Sequence, residues 1–373
     1  MMNSESFVTL RGLSYSKALL LKMQLGMQGV NSFITNALPG ETFVELQLAE
    51  SDAALARQLL FDMQFVAGEG KEAIVKQLRR VRRLLVPVDF SARSIKAAHY
   101  ALELARSLKA EVRLLHVWFS SAGDSFIFNE MYAFQTDLGP VMREMEQKAM
   151  DQLNTLTGLL EGRIRAERMK GVKVSADLVR GSAVEAILSI AGDYQPGLIV
   201  MGTRGKNHDS FRLLGSTTSQ LIERSLVPVL AVPEAYDIAK FIAPHKALYI
   251  THFGKEDLLA MHRLLSFVKP FKTKIFCLHI QSDTDPSLDR IRMKQLKETF
   301  LASHMPSGFE CGLIETPDPV EGVEAFVEEH QIDVIALLHR KRNLLENLFA
   351  PSLTKRLLYQ THLPLLVFRE GNG

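Results

Sequence analysis

Three glycines and a serine form the pattern in this chain that is best suited to chemistry. Gly202 follows an apolar run, Gly205 comes three positions later, and Gly215 with Ser216 begins ten positions after Gly205. Glycine lets the backbone turn through positive φ and approach a ligand closely. Ser216 and Thr217 stand where a helix should begin, so N–H groups, hydroxyls and the helix dipole can converge on phosphate oxygens. The pattern predicts an anion site, and the alternative is a glycine-rich connector with an N-capping serine.

The apolar runs around this loop predict the elements that must position it. The runs at 198–201 and 227–232 each indicate a buried strand, and a helix is expected from Ser216 to about Ser225. Upstream, strands and helices alternate, which favours an open parallel sheet with right-handed crossovers. Ligands of such sheets bind beyond the carboxyl ends of the strands. Strands are expected at 84–89, 112–118 and 172–180, and helices at 94–108, from about 140, and at 183–194.

Several of these residues resemble the motifs of the universal stress protein family over about residues 84–233. The resemblance rests on PVDFS at 87–91, on HV at 116–117, and on the G-x2-G-x9-G-S spacing followed by VPV at 227–229. The family implies a five-stranded doubly wound domain of the adenine nucleotide alpha hydrolase-like type. Its ATP-binding branch carries the same glycine pattern, so the resemblance implies ATP, with Mg²⁺, as the ligand.

The resemblance also implies a role for each matching residue. Asp89 would contact the ribose, Val117 would place its backbone against adenine, and the glycine loop would cradle the ribose and phosphates. The basic residues at 204, 206 and 212 either add positive charge there or reach solvent. The nucleotide-binding residues expected on this basis are Pro87, Val88, Asp89, Val117, Met201, Gly202, Gly205, Gly215, Ser216 and Thr217.

Residues from about 244 to 370 repeat this unit. A shift of 136 positions places Pro228 on Pro364 without gaps, and the sequence KALYITHF at 246–253 matches residues 83–90. In this second copy the three glycines become Leu338, Lys341 and Pro351, and Asp89 becomes His252. Side chains then occupy the space that phosphates need, and a proline removes an N–H. The copy is expected to be a degenerate structural partner; the alternative is a site for another anion at the basic residues 339–342.

The N-terminal residues 1–68 show a β-α-β-β-α pattern, which is most of a ferredoxin-like unit. The pattern resembles a family of small prokaryotic signal-transducing domains, and it is interpreted as an interaction or regulatory module rather than a structural appendage. A helical linker is expected at 69–83. Its arginine run at 79–83 is either a solvated face or a site for nucleic acid or an acidic partner.

The predicted fold class is therefore α/β. It comprises two doubly wound five-stranded parallel-sheet domains in tandem, preceded by a small α+β ferredoxin-like domain. The small domain is expected at 1–68, the linker helix at 69–83, the first repeat at 84–236 and the second repeat at 244–373. The resemblance implies that two such domains pair through their last strands, and the last strands here, 227–232 and 363–368, are apolar enough to pair at their edges. This predicts pairing of the repeats within one chain and leaves a homodimer open.

The composition excludes several other classes of protein. The 373 residues are 47% hydrophobic and 23% charged with a net charge of +2, so neither nucleic acid nor a membrane is expected as the main partner. The N-terminus lacks a signal-peptide pattern, and a cytoplasmic location is expected. Cys277 and Cys311 predict no disulfide framework and are expected to be buried thiols. His116 and His279 match between the repeats and are expected to be packed strand histidines.

The leading functional hypothesis is an ATP-binding stress or signalling regulator with one nucleotide site, in the first repeat, and an unknown protein partner. The alternatives are a nucleotide-independent interaction scaffold and a weak ATPase. Efficient phosphoryl transfer needs carboxylates that hold a metal, and Asp89 is the only carboxylate placed in the pocket, with Asp209 as a loop candidate. We therefore expect at most slow ATP hydrolysis, with no catalytic residue and no protein metal site.

Overall fold

The computed structural model of the chain describes most of its regular elements. The residues it describes are 7–13, 18, 21–22, 25, 30–35, 44–53, 55–56, 81–118, 138–203, 216–241, 243–253, 255–281, 289–290, 292–294, 296–297, 308–339, 356–357 and 361–370. They form two compact units, one built mainly from residues before Arg79 and the other mainly from Arg79 onward.

The first unit contains a three-stranded antiparallel sheet. Its strands are β1 (Phe7–Leu13), β2 (Ser32–Thr35) and β3 (Val44–Ala49), in the order β1-β3-β2. Burial alternates along β3, as expected for a sheet with one covered face. The covered face packs in a small apolar core whose fully buried members include Leu21, Leu25, Leu46 and Leu48. The small α+β unit predicted for the N-terminal residues agrees with this sheet.

The second unit contains ten strands with helices between them. Its elements up to the middle of the unit are β4 (Arg83–Pro87), α1 (Ala92–Leu108), β5 (Glu111–Trp118), α2 (Leu138–Ala166), β6 (Lys173–Arg180), α3 (Ala183–Tyr194), β7 (Leu198–Thr203), α4 (Ser216–Arg224) and β8 (Val229–Pro233). The remaining elements are β9 (Lys246–Ile250), α5 (Lys255–Val268), β10 (Lys274–Gln281), β11 (Phe309–Glu315), α6 (Pro319–His330), β12 (Val334–His339) and β13 (Leu365–Arg369).

The ten strands form one sheet in the order β11-β10-β9-β12-β13-β8-β7-β4-β5-β6. Counted outward from the middle, each half has the same order: last strand, fourth, first, second, third. All pairs inside each half are parallel, and only β13 and β8 pair antiparallel. This mixed sheet fits two tandem doubly wound domains, and the predicted α/β fold class is confirmed.

Equivalent hydrogen bonds support the alignment of the two halves. Ile199 N donates to Pro228 O at 3.0 Å, and Ile335 N donates to Pro364 O at 3.0 Å. The pairs are related by the shift of 136 positions that the sequence shows. At the centre, Leu366 of β13 lies opposite Leu230 of β8. This is the pairing of last strands that the apolar runs predict.

The predicted linker helix is wrong at its carboxyl end. Arg83 begins β4, and residues 81–82 are not helical. Glu111 N donates to Arg82 O at 2.8 Å, and Gly197 N donates to Arg83 O at 2.9 Å. The neighbouring strands therefore draw this backbone into the sheet, which overrides the helical tendency of the basic run. The rest of the predicted linker lies outside the described residues.

Candidate functional site

The first repeat has an opening in its sheet at the point where the strand order reverses. β4 and β7 pair at Leu84 with Leu198 and at Leu85 with Ile199, and the pairing stops there. On its other side, β4 stays paired with β5 as far as Pro87. Crevices at such switch points are where ligands of open α/β sheets bind. The opening therefore lies where the sequence predicts a pocket.

Pro87 explains why the two strands separate. Val88 N donates to Leu115 O of β5 at 2.9 Å. Because N–H groups of successive residues point to opposite neighbours, the N–H that proline lacks would have faced β7. Without that donor the β4–β7 ladder cannot continue past this residue.

The second repeat shows what happens when the donor is present. Ile250 stands at the position equivalent to Pro87. Here the ladder between β9 and β12 continues for two further pairs, Tyr249 with Ala336 and Ile250 with Leu337. Thr251 N donates to Leu278 O at 2.9 Å, so the N–H of Ile250 faces β12. The switch point that is open in the first repeat is thus closed by backbone pairing in the second.

Asp89 lies two residues beyond the end of β4 and shapes the turn into α1. Its Oδ1 accepts a hydrogen bond from Ser91 N at 3.1 Å and one from the Ser91 hydroxyl. Its Oδ2 lies 3.3 Å from Arg93 Nη2, and its N–H donates to Ser94 Oγ at 3.2 Å. The carboxylate is nevertheless 58% exposed, so it presents negative charge at the mouth of the opening.

The surroundings of Asp89 favour its ionised form. Partial burial raises the pKa of the carboxyl, but hydrogen bonds from Ser91 and Ser94 and the charge of Arg93 outweigh it, so the pKa lies below its ordinary value of 3.8. The residue is therefore a fixed anion and acceptor at neutral pH, which suits a hydroxyl-bearing ligand.

A glycine is required at position 202 because the backbone of α1 approaches it closely. A Cβ at this position would lie 2.4 Å from Arg93 O and 2.6 Å from Arg93 C, near the start of α1. The glycine therefore lets α1 rest on the end of β7, whether or not a ligand is bound. In the second repeat the equivalent residue is Leu338, which is 4% exposed. The contact joins two predicted site elements, since Arg93 directly follows the turn that holds Asp89.

Val117 is placed on the open side of β5. The carbonyl of Leu115 faces β4, because it accepts the N–H of Val88. Two residues further along the strand, the backbone of Val117 faces the same side, beyond the end of β4 at Pro87. Its side chain is half-buried. The structure thus brings Val117, Asp89 and Gly202 to one edge of the sheet, at the carboxyl ends of neighbouring strands.

His116 and Phe90 form a contact that has an equivalent in the second repeat. His116 Nδ1 lies 2.7 Å from Val88 O, and its ring centroid lies 4.4 Å from that of Phe90, whose φ is 60°. In the second repeat His279 Nδ1 lies 2.9 Å from Thr251 O, and Phe253 has a φ of 59°. Both histidines are packed strand histidines that hold the turn after the first strand.

Helix α4 brings its first turn to the end of β7. Its range is Ser216–Arg224, and the N–H groups in the first turn of a helix can serve an anion. Thr218 is 5% exposed and its hydroxyl donates to Gly202 O at 3.4 Å. Thr217, at the start of the helix, is half-buried. This contact ties the beginning of α4 to the same strand end that supports Asp89.

Thr203 is a candidate site residue that sequence reasoning missed. Its Oγ1 is buried and has no hydrogen-bond partner among the residues that the structure describes. Ile199 and Met201 pack in a core cluster with Leu221 and Ile222 of α4. Since every second residue of a strand faces the same side, the Thr203 hydroxyl lies on the α4 side of the sheet. An unpaired buried hydroxyl calls for a polar partner, and its place beside the first turn of α4 makes Thr203 a candidate to test.

Only part of the predicted glycine loop lies within the residues that the structure describes. Gly205, Gly215 and the basic residues Arg204, Lys206 and Arg212 lie outside the described residues, as does Asp209. The same holds for Arg340, Lys341, Arg342 and Pro351 of the second repeat. Ser94, Thr203 and Thr218 are additions from the structure, and the S-x-x-S spacing at 91–94 is the one sequence signal that could have found Ser94.

The second repeat fills the equivalent position with its own side chains. Asp257 replaces Ser94 and is fully buried. Its Oδ2 accepts from His252 N at 3.1 Å, and its Oδ1 accepts from the Tyr249 hydroxyl at 2.7 Å. The first repeat therefore has an exposed carboxylate, Asp89, at this turn, whereas the second has a buried one, Asp257, whose hydrogen bonds stabilise the turn.

The described residues show neither a metal-ligand cluster nor a helix that could span a membrane. Across the residues that the structure describes, no three His, Cys, Asp or Glu side chains are grouped as a metal site would need. None of the helices described is both long and apolar enough to cross a membrane.

Comparisons with known proteins place the chain in a family. A sequence model described as the universal stress protein family matches residues 80–233. The universal stress protein MJ0577 of Methanocaldococcus jannaschii is 30% identical over 161 residues, which cover 40% of this chain and 94% of that protein. The universal stress protein MJ0531 of the same organism is 28% identical over 151 residues, covering 40% of this chain and 81% of the relative.

A solved structure extends the likeness of the fold beyond the matched region. The crystal structure of a universal stress protein from Archaeoglobus fulgidus covers 78% of this chain and 100% of its own, with a TM-score of 0.60 and 20% identity. At that identity the likeness concerns the fold. The match at 80–233 and the relative that is 30% identical over nearly its whole length show the family. The chain belongs to the universal stress protein family.

Proposed function

We propose that this protein is an ATP-binding stress or signalling regulator with one nucleotide site, in its first repeat. The observation that carries the proposal is the contrast between the repeats at the switch point. The ladder beside Pro87 is open, whereas the ladder beside Ile250 continues for two more pairs. Only the first repeat combines this opening with an exposed carboxylate and the glycine spacing.

The proposed pocket divides into an adenosine end and a phosphate end. Asp89, ionised and exposed beside Pro87 and Val88, is the acceptor for ribose hydroxyls. The backbone of Val117, facing past the end of β4, supplies hydrogen bonds to the edge of adenine. The first turn of α4, with Ser216 and Thr217, receives the phosphates together with the glycine loop. Mg²⁺ would be bound mainly by phosphate oxygens and water.

The domain organisation forms part of the proposal. Residues 1–68 act as an interaction module, 69–83 connect it to the first repeat, and 84–236 and 244–373 are the two repeats. The antiparallel pair of β8 and β13 makes the second repeat the permanent partner of the first. Occupancy of the single site then changes the contacts that the chain makes with a protein partner.

A second candidate function is a scaffold that needs no nucleotide. The close approach of Arg93 O to Gly202 favours it, because that glycine has a packing role that would persist without a ligand. The two functions differ in one property, which is the affinity of the full chain for ATP.

Isothermal titration of the full chain with ATP and Mg²⁺ separates the two functions. The ATP-binding function predicts saturable heat that is lost in Gly215→Val and kept in Pro351→Ala, a matched change in the second repeat. Absence of binding at high micromolar ATP would support the scaffold instead. Loss of binding in both variants would contradict the assignment of the site to the first repeat.

A further inference from the structure

The only two cysteines of the chain are direct neighbours in the second repeat. Cys277 on β10 lies opposite Cys311 on β11 in a parallel pair, and both are free thiols. They come from segments 34 positions apart by their numbers, so local sequence does not bring them together. The sheet register does.

The register places the two cysteines on neighbouring strands, at a Cα spacing that disulfides adopt. Neighbouring strands lie about 4.7–4.9 Å apart, and disulfides join residues whose Cα atoms are about 4.4–6.8 Å apart. Residues in register on adjacent strands also point their side chains to the same face of the sheet. The in-register pairing therefore places the two thiols side by side on one face of the sheet.

The two thiols differ in the way that a reactive pair requires. Cys277 is fully buried, and Cys311 is half-buried on β11, one of the two edge strands of the sheet. Burial raises the pKa of Cys277. The hydrogen bond from Cys277 lowers the pKa of Cys311 against the opposing effect of its partial burial, and the exposed Lys297 adds positive charge nearby. Cys311 is thus the more accessible and more acidic thiol.

The first repeat shows that the fold does not need this pair. The equivalent residues are Leu114 on β5 and Ala176 on β6, which lie opposite each other in the same register. An apolar pair therefore satisfies the packing at this point of the sheet. Two cysteines in place of leucine and alanine are better explained by the chemistry of sulfur than by packing.

We propose that Cys277 and Cys311 form a peroxide-sensitive dithiol in the second repeat, with Cys311 as the reacting thiol and Cys277 as the resolving thiol. This site is independent of the proposed nucleotide site. The Cys311 thiolate attacks one oxygen of a hydroperoxide, the O–O bond breaks, and a sulfenic acid and hydroxide (or alkoxide) result. Cys277 sulfur then attacks the sulfenic sulfur, and its proton leaves with the hydroxyl as water. Two electrons pass from the sulfurs to the peroxide.

A disulfide between Cys277 and Cys311 would join β11 covalently to β10. In a reducing compartment the pair returns to the dithiol by thiol exchange. The second repeat, which lacks the open switch point, would in this way sense an oxidant while the first repeat binds nucleotide.

Treatment of the full chain with hydrogen peroxide, followed by mass spectrometry without reduction, tests the proposal. We expect each chain to lose the mass of two hydrogen atoms and both titratable thiols, with one cross-linked peptide containing both cysteines. Restoration by dithiothreitol completes the expected result. Recovery of both free thiols after excess peroxide, or a stable sulfinic acid at Cys311 with Cys277 still free, would overturn it.

Two variants test the assigned roles independently. In Cys277→Ala, peroxide should leave a sulfenic acid on Cys311 that dimedone traps; in Cys311→Ala, dimedone should trap none on the buried Cys277. Cys311 lies on an edge strand and alanine stands at the equivalent position of the first repeat, so Cys311→Ala is expected to fold. Equal trapping on Cys277 in that variant would contradict the order of reaction.

Discussion

Asp89 combines a structural role with an exposed carboxylate that the proposed function assigns to ligand binding. Oδ1 accepts hydrogen bonds from Ser91, while Oδ2 faces Arg93 and remains largely open to solvent. Asn can keep the acceptor for Ser91 N but carries no charge. We expect Asp89→Asn to fold and to lower ATP affinity about tenfold, which corresponds to about 1.4 kcal/mol. Titration calorimetry measures this change.

Arg93→Gln is the control for that substitution. It removes the ion pair with Asp89 and leaves the carboxylate available. We expect the ATP affinity of Arg93→Gln to change less than that of Asp89→Asn. If the two variants lose affinity equally, the ion pair and not a contact from the carboxylate governs binding.

The lowered pKa of Asp89 gives a pH dependence with a definite sign. Because the pKa in the folded state lies below the ordinary 3.8, this residue contributes stability that is present above that value. The contribution is lost as the pH falls through the folded pKa. Melting temperatures measured between pH 6 and 3 should therefore fall less steeply in Asp89→Asn than in the natural chain. An unchanged slope would show that the turn does not stabilise the ionised form.

Thr203 offers a test in which stability and binding are expected to separate. A buried hydroxyl without a partner costs about 1–3 kcal/mol, so Thr203→Val should leave the melting temperature without ligand unchanged or higher. ATP affinity should fall, because the hydroxyl faces the start of α4 where phosphates are proposed. Thr218→Val is the matched control, since its hydroxyl bonds Gly202 O and its loss should lower stability. Equal destabilisation in both variants would contradict a ligand role for Thr203.

At the scale of elements, the opening between β4 and β7 depends on one missing backbone donor. Pro87→Ile installs the residue found at the equivalent position of the second repeat, with an N–H directed at β7. We expect the ladder to extend, the ATP dissociation constant to rise by at least about tenfold (about 1.4 kcal/mol), and the chain to remain folded. Calorimetry measures the affinity, and amide hydrogen exchange at residue 87 reports the new bond.

Pro87→Ala separates the donor from the side chain. Alanine restores the N–H without the bulk of isoleucine, so it should lose affinity to a similar degree and show the same protected amide. Binding by Pro87→Ala at the level of the natural chain would mean that the missing donor is not what keeps the site open.

The packing of α1 on β7 depends on Gly202. In Gly202→Ala the new Cβ would meet the backbone of Arg93 at 2.4 Å, so the helix must shift. A loss of about 1–3 kcal/mol in unfolding free energy is expected. Gly192→Ala, in α3, is the control, since a Cβ there meets no atom within 4 Å and alanine should add up to about 1 kcal/mol. Urea unfolding of both variants measures the contrast, and equal stability of the two would refute the close approach.

These elements show what the sequence could and could not predict. Alternating strands and helices, the repeat and the apolar last strands follow from periodicity, and the sheet agrees with them. Pro87 and Gly202 were predicted only as ligand contacts. Their effects on the ladder and on helix approach depend on which neighbour a backbone group faces, which no pattern encodes. Arg83 was assigned to a helix because the bonds that place it in β4 come from distant residues.

At the scale of the molecule, one sheet joins two repeats that have diverged in opposite ways. The first keeps the open switch point, the glycine spacing and an exposed Asp89. The second closes the ladder, buries Asp257 at the turn and places Cys277 beside Cys311. Since β8 and β13 pair through apolar residues, the repeats share one continuous sheet and cannot separate without exposing it. The proposed function therefore expects a single nucleotide site per chain.

Counting the ATP molecules bound per chain tests this consequence most directly. Equilibrium dialysis of the full chain against saturating radiolabelled ATP with Mg²⁺ should give one ATP per chain. At an ATP concentration that just saturates the natural chain, Pro87→Ile should bind markedly less, because its dissociation constant is expected to be higher. Two ATP molecules per chain, or one that survives unchanged in Pro87→Ile, would contradict a single site at the open switch point of the first repeat.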